Sequence, residues 1–306
     1  MAVFKSRIAV NAPAFEQNRA DMLALIERLR SVEARAAVAS NKRRPTFEKR
    51  GQLPPYERIQ RLLDPGMPFL RLHSLANFLW DDPDPETSLP GGSVILGIGF
   101  VSGVRCMIWG DDSGIRAGAG TTGGLRACLN IQEMALKLRL PVVHMVESAG
   151  ANLMDYQVEW WAHGGRMYYN FARLSAAGIP VISVLHGPST AGGAYMPGMS
   201  DYVIGIKNNG MAALGGAALV KAATGEEVTA EELGGAEVHT SISGVADHLA
   251  ENDLHALQIC RNIFENLEHR ERQAIDTVAI EEPAYDPQEL YGIAPVDLRK
   301  MVDPRE

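Results

Sequence analysis

Cysteine is scarce in this sequence, and its cysteines lie far apart. Three occur in 306 residues, and they are Cys106, Cys128 and Cys260. No two of them form a Cys-x-x-Cys pair, which excludes a zinc ribbon, because such a site needs paired thiolate ligands. An odd and sparse set of cysteines is typical of buried thiols in a reducing compartment. We therefore expect no metal ion in this chain.

An excess of positive charge and long apolar runs are lacking as well. The chain has 29 lysine and arginine residues against 37 aspartate and glutamate residues, a formal net charge of −8. Binding to nucleic acid without sequence preference needs a basic surface, so this composition argues against that class of protein. No apolar run approaches the roughly 18 residues that a transmembrane helix requires. We expect no nucleic acid and no membrane among the partners.

Glycine is plentiful, and from residue 93 strand-like and helix-like segments alternate. The 30 glycines indicate many tight turns and close backbone contacts. The predicted strands are 94–100, 104–109, 141–146, 181–186 and 202–206, and the predicted helices are 14–40, 124–139, 160–177, 193–199 and 246–267. Strands separated by helices of this length predict βαβ units, and hence an α/β fold.

The segment Gly118–Gly123 fits the pattern Gly-x-Gly-x-x-Gly. This pattern binds dinucleotides when it joins a strand to a helix and an acidic residue, here Glu147, ends the next strand. The preceding strand is predicted to end near Trp109, however, and residues 111–116 intervene, whereas a dinucleotide fold places its first glycine directly after the strand. An NAD-linked dehydrogenase that uses Gly118–Gly123 is kept as an alternative function.

Two other predicted strands run into turns of small residues. One ends at His186 and leads into Gly187–Tyr195, and the other ends at Glu147 and leads into Ser148–Leu153. Backbone N–H groups at such turns stabilise negative charge that develops on an oxygen atom. Since the turns are predicted to follow neighbouring strands, each could direct one N–H at the same carbonyl oxygen. Stabilisation of an enolate requires this convergence of two donors.

Titratable side chains beside these turns are predicted to be structural. Glu147 ends a strand without a second carboxylate at a comparable turn, His186 ends a strand beside a glycine-rich turn, and His144 is flanked by apolar residues. The segment Gly187–Ala191 lacks the spacing of a nucleophile elbow. A search for acid–base or nucleophilic groups therefore finds little.

Several segments resemble the carboxyltransferase β subunit of biotin-dependent acyl-CoA carboxylases. The resemblance rests on Ser148–Leu153, Thr190–Tyr195, Leu219–Glu227, Leu233–Ala236 with His239, Ser243–Ala246, Arg50–Gly66 and Tyr285–Lys300. It runs in order through roughly residues 45–306. The Ala-Asn-Leu form at 151–153 and the Lys-Ala-Ala-Thr-Gly-Glu form at 221–226 are most similar to the methylcrotonoyl-CoA and geranyl-CoA branch.

This resemblance implies an α/β, crotonase-like (ClpP/crotonase) β-β-α spiral fold with an N-terminal helical extension. The implied organisation is a helical extension at 1–66, an acyl-CoA-binding carboxyltransferase N-terminal domain at 67–275, and a linker at 276–306 towards an absent C-terminal domain. Only the acyl-CoA half of the family's active site is then expected here, so the isolated half is expected to be inactive.

The resemblance also implies a reaction, the transfer of a carboxyl group from carboxybiotin to an acyl-CoA enolate. Backbone groups of four residues would form the oxyanion hole, namely Gly150, Ala151, Gly192 and Gly193. The residues that would contact the acyl-CoA are Arg116, Gly118, Ala149, Ala191 and Ala194. In the family the released biotin takes the proton, so no side-chain base is required.

The implied cofactor is biotin carried by a partner subunit, with acyl-CoA as substrate. The implied partners are the α subunit with its biotin carboxylase and biotin carboxyl carrier parts, a C-terminal carboxyltransferase domain, and further copies of the chain, since the family forms hexamers of stacked trimers. The implied location is the cytoplasm in a bacterium or the mitochondrial matrix in a eukaryote.

The sequence departs from the family pattern in places where the acyl-CoA should lie. Ala149 replaces a usual glycine, and the segments 115–124 and 210–218 differ from the family's usual forms. A crotonase-like scaffold without catalytic activity is therefore a further alternative.

Overall fold

The computed structural model describes residues 5–151, 158–267 and 278–306. The chain divides into two compact units, a larger unit of Arg35–Glu271 and a smaller unit of Met1–Ala34 with Arg272–Glu306. Within the described residues, no helix combines the length and the apolar character that crossing a bilayer requires. The elements of the candidate site all belong to the larger unit.

The larger unit is built on one sheet. Its strands are β1 (Leu70–Leu72), β2 (Val94–Val101), β3 (Val104–Asp111), β4 (Val142–Ser148), β5 (Val181–Thr190), β6 (Tyr202–Ile206), β7 (Met211–Ala213) and β8 (His248–Ala250). The order in the sheet is β1-β2-β3-β4-β5-β6-β8, with β7 paired to β5. The first three strands pair antiparallel and the later neighbours pair parallel. Parallel neighbours need a crossover connection, and helices provide several of these connections.

Short sequence signals begin several of the helices. The helices are α1 (Pro13–Asn41), α2 (Arg44–Lys49), α3 (Pro55–Leu62), α4 (Thr122–Leu138), α5 (Val158–Ala176), α6 (Tyr195–Gly198), α7 (Ala217–Thr224), α8 (Ala230–Gly234), α9 (Ala236–Val238), α10 (Asp253–Asn266) and α11 (Leu290–Ile293). Pro55 is the first residue of α3, where its missing N–H costs nothing. Thr121 caps α4 by accepting a hydrogen bond from Gly124 N at 3.1 Å.

Alternating side chains of the central strands face two hydrophobic layers. In β3, Cys106 and Ile108 pack in the layer that α3 and α10 cover, while Met107 and Trp109 pack in the layer that α4 and α5 cover. Successive residues of a strand point to opposite faces of the sheet, which explains the alternation. Helices cover both faces, as is usual for strands buried on both sides.

The alternation predicted from residue 93 is confirmed, with one prediction wrong. Each predicted strand overlaps an observed strand, and the predicted helices 124–139 and 160–177 correspond to α4 and α5. The predicted helix 246–267 is instead β8 followed by α10. Asn252 caps α10 by accepting a hydrogen bond from His255 N at 3.0 Å, and the preceding residues pair with β6.

The carboxyl ends of β4 and β5 depart from the regular sheet. Their register shifts between Val146 and Ser148, so that Ser148 lies opposite Ser189. Strand β5 also changes partner along its length, because residues 182–185 pair with β6 and residues 188–190 pair with β7. A bulge bends a strand and redirects the residues beyond it. Both turns of small residues begin beyond this irregularity.

The smaller unit joins the two terminal segments of the chain. Asn18 on α1 donates a hydrogen bond to the carbonyl oxygen of Gly292 at 3.3 Å, and a side chain at Gly292 would overlap the ring of Phe15. Ser6 Oγ donates to the Glu306 carboxylate at 2.7 Å. Glycine at position 292 therefore allows α1 to approach this segment closely.

Candidate active site

The first turn follows β4 and is held by its own hydroxyl group. Gly150 has a φ of +85°, a conformation that favours glycine, and its N–H donates to Ser148 Oγ at 3.1 Å. Ser148 Oγ in turn donates to the carbonyl oxygen of Gly118 at 2.7 Å. These bonds fix the backbone of the turn at the point where the strand ends.

The segment 116–120 supports this turn from the outside. Ala149 N donates to the Ala117 carbonyl oxygen and Gly120 N donates to the Gly150 carbonyl oxygen, both at 2.9 Å. Gly118 is buried, and a side chain there would overlap the carbonyl oxygen of Glu147. Gly118, which the resemblance assigns to acyl-CoA binding, therefore packs backbone against backbone beneath the turn.

The second turn follows β5 and begins with a short 3₁₀ helix, Ala191–Ala194, that continues into α6. Ala191 has a φ of +53°, which is uncommon for a residue with a side chain. Tyr168 Oη donates a hydrogen bond to the Gly192 carbonyl oxygen at 2.8 Å. A side chain at Gly193 would lie 2.9 Å from Ser189 Oγ, which is closer than real contacts allow.

The two turns lie side by side at the same edge of the sheet. Ser148 is paired with Ser189, and a side-chain Cβ on Gly150 would lie 3.8 Å from the carbonyl oxygen of Thr190. The structure thus brings together the two turns that carry Gly150, Ala151, Gly192 and Gly193, the residues proposed for an oxyanion hole. It also places Ala149 and Ala191, both exposed, on these same turns.

Existing hydrogen bonds decide which N–H groups of the first turn are available. The Gly150 N–H is already used by Ser148 Oγ. No group among the described residues accepts a hydrogen bond from the N–H of Ala151. The geometry therefore favours Ala151 as the donor of this turn.

The second turn offers its donors at the start of the 3₁₀ helix. The helix follows Thr190, and its i→i+3 pattern leaves the N–H groups of its first two residues, Ala191 and Gly192, without partners inside the helix. Gly193, the third residue, is the first whose N–H can donate to a carbonyl oxygen three residues earlier. The geometry therefore favours Gly192 over Gly193 as a donor.

A buried ionic cluster lies directly behind the first turn. Arg58 Nη1 donates to Glu147 Oε2 at 2.6 Å, and Arg58 Nε lies 3.5 Å from Asp253 Oδ2. All three side chains are at most 5% exposed. Leu53 N also donates to Asp253 at 2.5 Å. Glu147 is structural, as predicted, but its partner is an arginine that the sequence analysis did not single out.

His186 belongs to the same cluster. Its Nδ1 lies 2.8 Å from Asp253 Oδ1, and the ring is fully buried. Burial, reinforced by the positive charge of Arg58, lowers the pKa of His186, so the ring is neutral at neutral pH and donates its Nδ1 proton to Asp253. No described residue forms a hydrogen bond with His186 Nε2, although the atom is buried. His144 is also fully buried and stacks on Trp109 with ring centroids 4.1 Å apart, as its apolar neighbours predict.

Arg116, proposed from the resemblance for acyl-CoA, forms an ion pair with Asp81. Ala194 packs against the small hydrophobic cluster at the ends of the strands, which contains Val146 and Leu185. Arg116 and Ala194 thus each contact other side chains of this chain.

A cavity of about 270 Å³ opens beside the first turn. Its lining comes from the turn itself and from the region of α2, and consists of Arg43, Thr46, Phe47, Arg50, Ser113, Ala117, Glu147, Ser148, Ala149 and Pro188. The cavity therefore connects the backbone of the first turn with two arginine side chains.

The dinucleotide alternative is wrong for this fold. Strand β3 ends at Asp111 and α4 begins at Thr122, so a connection of residues 112–121 separates them. Gly123 N donates to Asn77 Oδ1 at 3.1 Å, and a side chain at Gly123 would overlap the Asn77 backbone. The glycines of this segment serve close packing, which the motif alone cannot distinguish from a phosphate cradle. In the described part of the chain, no cluster of His, Cys, Asp and Glu side chains could hold a metal ion.

Comparison with known proteins places this geometry in a family. Residues 47–306 match the family described as carboxyl transferase domain. A probable biotin-dependent acyl-coenzyme A carboxylase beta2 subunit of Mycobacterium tuberculosis is 42% identical over 99% of this chain and 56% of its own length. The mitochondrial methylcrotonoyl-CoA carboxylase beta chain of Arabidopsis thaliana is 40% identical over 96% of this chain and 51% of its own length.

A solved structure shows the same fold. The beta subunit of geranyl-CoA carboxylase from P. aeruginosa superposes with a TM-score of 0.90 at 41% identity, over 99% of this chain and 56% of that one. The crotonase-like fold that the sequence predicts is therefore confirmed. The chain spans about half the length of these relatives. It belongs to the carboxyl transferase domain family, and it is similar to β subunits of biotin-dependent acyl-CoA carboxylases, among them those of methylcrotonoyl-CoA and geranyl-CoA carboxylases.

Proposed function

We propose that this chain forms the acyl-CoA side of a carboxyltransferase site, where a carboxyl group passes from carboxybiotin to an acyl-CoA enolate. The observation that carries the proposal is the placement of two small-residue turns side by side, at the ends of β4 and β5. Each turn offers at least one backbone N–H without an acceptor among the described residues. Family membership supports the same reaction class.

The two turns would hold the thioester oxygen as it gains negative charge. Ala151 from the first turn and Gly192 from the second are the proposed donors, with Gly150 and Gly193 fixing the backbone around them. Donors aimed at a developing oxyanion lower the barrier, and removal of one donor typically costs about 2.7–4 kcal/mol. Small residues at both turns leave the space that a thioester needs to reach the backbone.

The residues of this chain are compatible with an acyl-CoA thioester. Both turns present backbone donors beside exposed small residues, and the nearby carboxylate of Glu147 is neutralised by Arg58. Carboxybiotin, when bound, supplies the carboxyl group. We propose that a biotin-carrying α subunit brings it and that a C-terminal carboxyltransferase domain forms its side of the cleft. The acting assembly would then be an oligomer, such as the hexamer of the family.

The proposed substrate is a branched, α,β-unsaturated acyl-CoA of the methylcrotonoyl or geranoyl type. The names of the Arabidopsis and P. aeruginosa relatives support this class. In such a substrate, charge on the thioester oxygen is shared with the γ carbon, so one oxyanion hole can direct carboxylation there. The proposed location is the cytoplasm in a bacterium or the mitochondrial matrix in a eukaryote, since the Arabidopsis relative is named as mitochondrial.

Calorimetric titration of the purified chain tests the proposal. We expect 3-methylcrotonoyl-CoA or geranoyl-CoA to bind, and NADH not to bind. Gly192→Pro removes an N–H and should weaken thioester binding when it is made together with Tyr168→Phe, which removes the hydroxyl that any side chain at position 192 would overlap. Gly192→Ala with Tyr168→Phe keeps the N–H and serves as the matched control. Absence of binding by any acyl-CoA to the folded chain would contradict the proposal and favour the non-catalytic scaffold.

A further inference from the structure

The cavity beside the first turn is flanked by arginines at both ends of α2. Arg43 precedes this helix and Arg50 follows it, and both line the cavity. Phe47 fixes the helix in place, because its ring is 3% exposed and lies under the Arg58 guanidinium, 5.6 Å from the ring centroid. The two arginines are therefore presented by an anchored element.

These arginines differ from two nearby arginines, Arg44 and Arg116, which are paired with acidic side chains. Arg44, on the same helix, lies 3.0 Å from Glu57 and 3.7 Å from Glu48, and Arg116 is paired with Asp81. No acidic side chain among the described residues forms an ion pair with Arg43 or Arg50. In a chain whose net charge is −8, two guanidinium groups at one cavity, without an acidic partner in the described part of the chain, form a local concentration of positive charge.

The other polar groups of the cavity are compatible with an anion. Ser113 Oγ is buried and has no hydrogen-bond partner among the described residues, so it is available to donate. The carboxylate of Glu147 also lines the cavity, but the Arg58 guanidinium 2.6 Å away compensates its charge. The remaining contacts of the cavity come from the first turn, through Ser148 and Ala149.

We propose that Arg43 and Arg50 bind phosphate groups at the nucleotide end of the coenzyme A thioester. This inference rests on the proposed function, because it places the phosphates in the cavity that adjoins the thioester turn. Arginine suits the role, since its planar guanidinium matches phosphate oxygens with paired hydrogen bonds. Ser113 Oγ supplies a further donor. Arg116, which the sequence analysis favoured for acyl-CoA, is neutralised by Asp81 and is not needed for this contact.

Titration calorimetry of the chain with three probes tests the inference. The probes are coenzyme A, 3′-dephospho-coenzyme A and pantetheine, which share the thiol arm and differ in their phosphates. Loss of one charge-assisted hydrogen bond should weaken binding by roughly 10- to 100-fold. We expect Arg43→Gln and Arg50→Gln to show this loss with coenzyme A, and to bind pantetheine as the unmodified chain does.

Arg44→Gln is the matched control, because Arg44 lies between the two arginines but is paired with acidic side chains, and it should leave coenzyme A binding unchanged. A loss confined to coenzyme A assigns the contact to the ribose phosphate. An equal loss with 3′-dephospho-coenzyme A assigns it to the pyrophosphate. Either result supports the inference, provided that circular dichroism shows the variants to be folded.

Two results would overturn the inference. If the chain binds coenzyme A and both variants bind it equally well, the phosphates lie elsewhere, while the proposed function stands. If neither coenzyme A nor any acyl-CoA binds the folded chain, the proposed function fails and the inference fails with it. Should a glutamine variant not fold, Arg43→Lys and Arg50→Lys keep the charge but lose the paired geometry, and they should weaken binding by a smaller factor.

Discussion

At the scale of single residues, the ionic cluster behind the first turn stands out because it buries charged side chains. Arg58 lies between the carboxylates of Glu147 and Asp253, and all three are almost completely buried. Buried charges are costly unless each has a partner, and removal of one partner leaves another charge uncompensated. The cluster also ties α3 and α10 to the end of β4. It was not predicted, because the sequence shows only an arginine in an amphipathic helix and two distant acids.

Arg58→Met should destabilise the larger unit by about 3–5 kcal/mol, because two buried carboxylates lose their common partner. The matched variant Arg58→Met with Glu147→Gln removes one of those charges and should recover part of the loss. Urea unfolding followed by circular dichroism measures both values. Equal stability of Arg58→Met and the unmodified chain would show that the cluster is not energetically important.

Asp112 provides a residue-scale prediction that depends on pH. Burial raises its pKa to about 6, although Ser40 Oγ donates a hydrogen bond to it at 2.5 Å. An acid whose pKa is raised in the folded state does not lower the free energy of unfolding at pH values below its unfolded-state pKa, because the group is protonated in both states there. Its cost grows as the pH rises towards 6 and is constant above that. The full cost is about 3 kcal/mol.

Asp112→Asn should therefore gain stability relative to the unmodified chain as the pH rises from about 4 to 7, by up to about 3 kcal/mol. Urea unfolding at several pH values measures the difference. The pKa of the partly exposed Asp82 is lowered by hydrogen bonds from Thr87 and from the Asp84 backbone, so Asp82→Asn should show a trend of the opposite sign. A difference between Asp112→Asn and the unmodified chain that does not vary with pH would contradict the assignment.

At the scale of elements, the start of α4 shows why a glycine motif is ambiguous. The segment Gly118–Gly123 carries the spacing of a phosphate-binding loop, yet its glycines contact neighbouring backbone. A side chain at Gly123 would overlap Asn77, and one at Gly124 would overlap Gly92. The positions of the two turns were predictable, since both follow apolar strands. The register shift in β4 and the 3₁₀ helix after β5 were not, because both depend on pairing with distant strands.

Gly123→Ala should lower the stability of the larger unit by about 1–3 kcal/mol, because the added methyl group overlaps backbone that cannot move easily. Gly164, inside α5, is the matched control, since a side chain there would meet nothing within 4 Å. Gly164→Ala should raise stability by about 0.4–1 kcal/mol through its effect on the unfolded chain. Thermal unfolding compares the two, and a stable Gly123→Ala would reopen the question of what these glycines do.

At the scale of the whole molecule, the sequence predicted the α/β alternation, because apolar strands and amphipathic helices have recognisable periods. The crotonase-like fold was implied by the resemblance to a known family. The boundaries proposed at residues 66 and 275 stay a prediction. The extent to which α3 joins the core was not foreseen, although Ile59 and Leu62 are among its buried residues. Short helices with few apolar residues give a weak signal, and only packing against the sheet shows their role.

The larger unit exposes apolar side chains after its second turn, and we expect them to mediate contact between copies of the chain. Leu214, Leu219 and Ile242 are 68%, 62% and 80% exposed. A contiguous exposed apolar patch marks an interaction surface, and we propose that these side chains form one. Sedimentation velocity should show a weak, concentration-dependent oligomer, such as a trimer, that Leu219→Glu with Ile242→Glu dissociates. Leu138→Glu, also on an exposed leucine, is the control, and a tight hexamer of the chain would contradict the prediction of weak association.

The central claim is that the turns after β4 and β5 polarise the carbonyl group of a bound acyl-CoA thioester. The infrared stretching band of a ¹³C-labelled thioester carbonyl in 3-methylcrotonoyl-CoA reports this polarisation directly, since hydrogen bonds to the oxygen weaken the C=O bond. We predict a shift to lower wavenumber when the thioester binds the unmodified chain or Gly192→Ala with Tyr168→Phe, and a smaller shift with Gly192→Pro in the same Tyr168→Phe background. A band that stays at the wavenumber of free thioester when bound, or a full shift in Gly192→Pro, would contradict the claim.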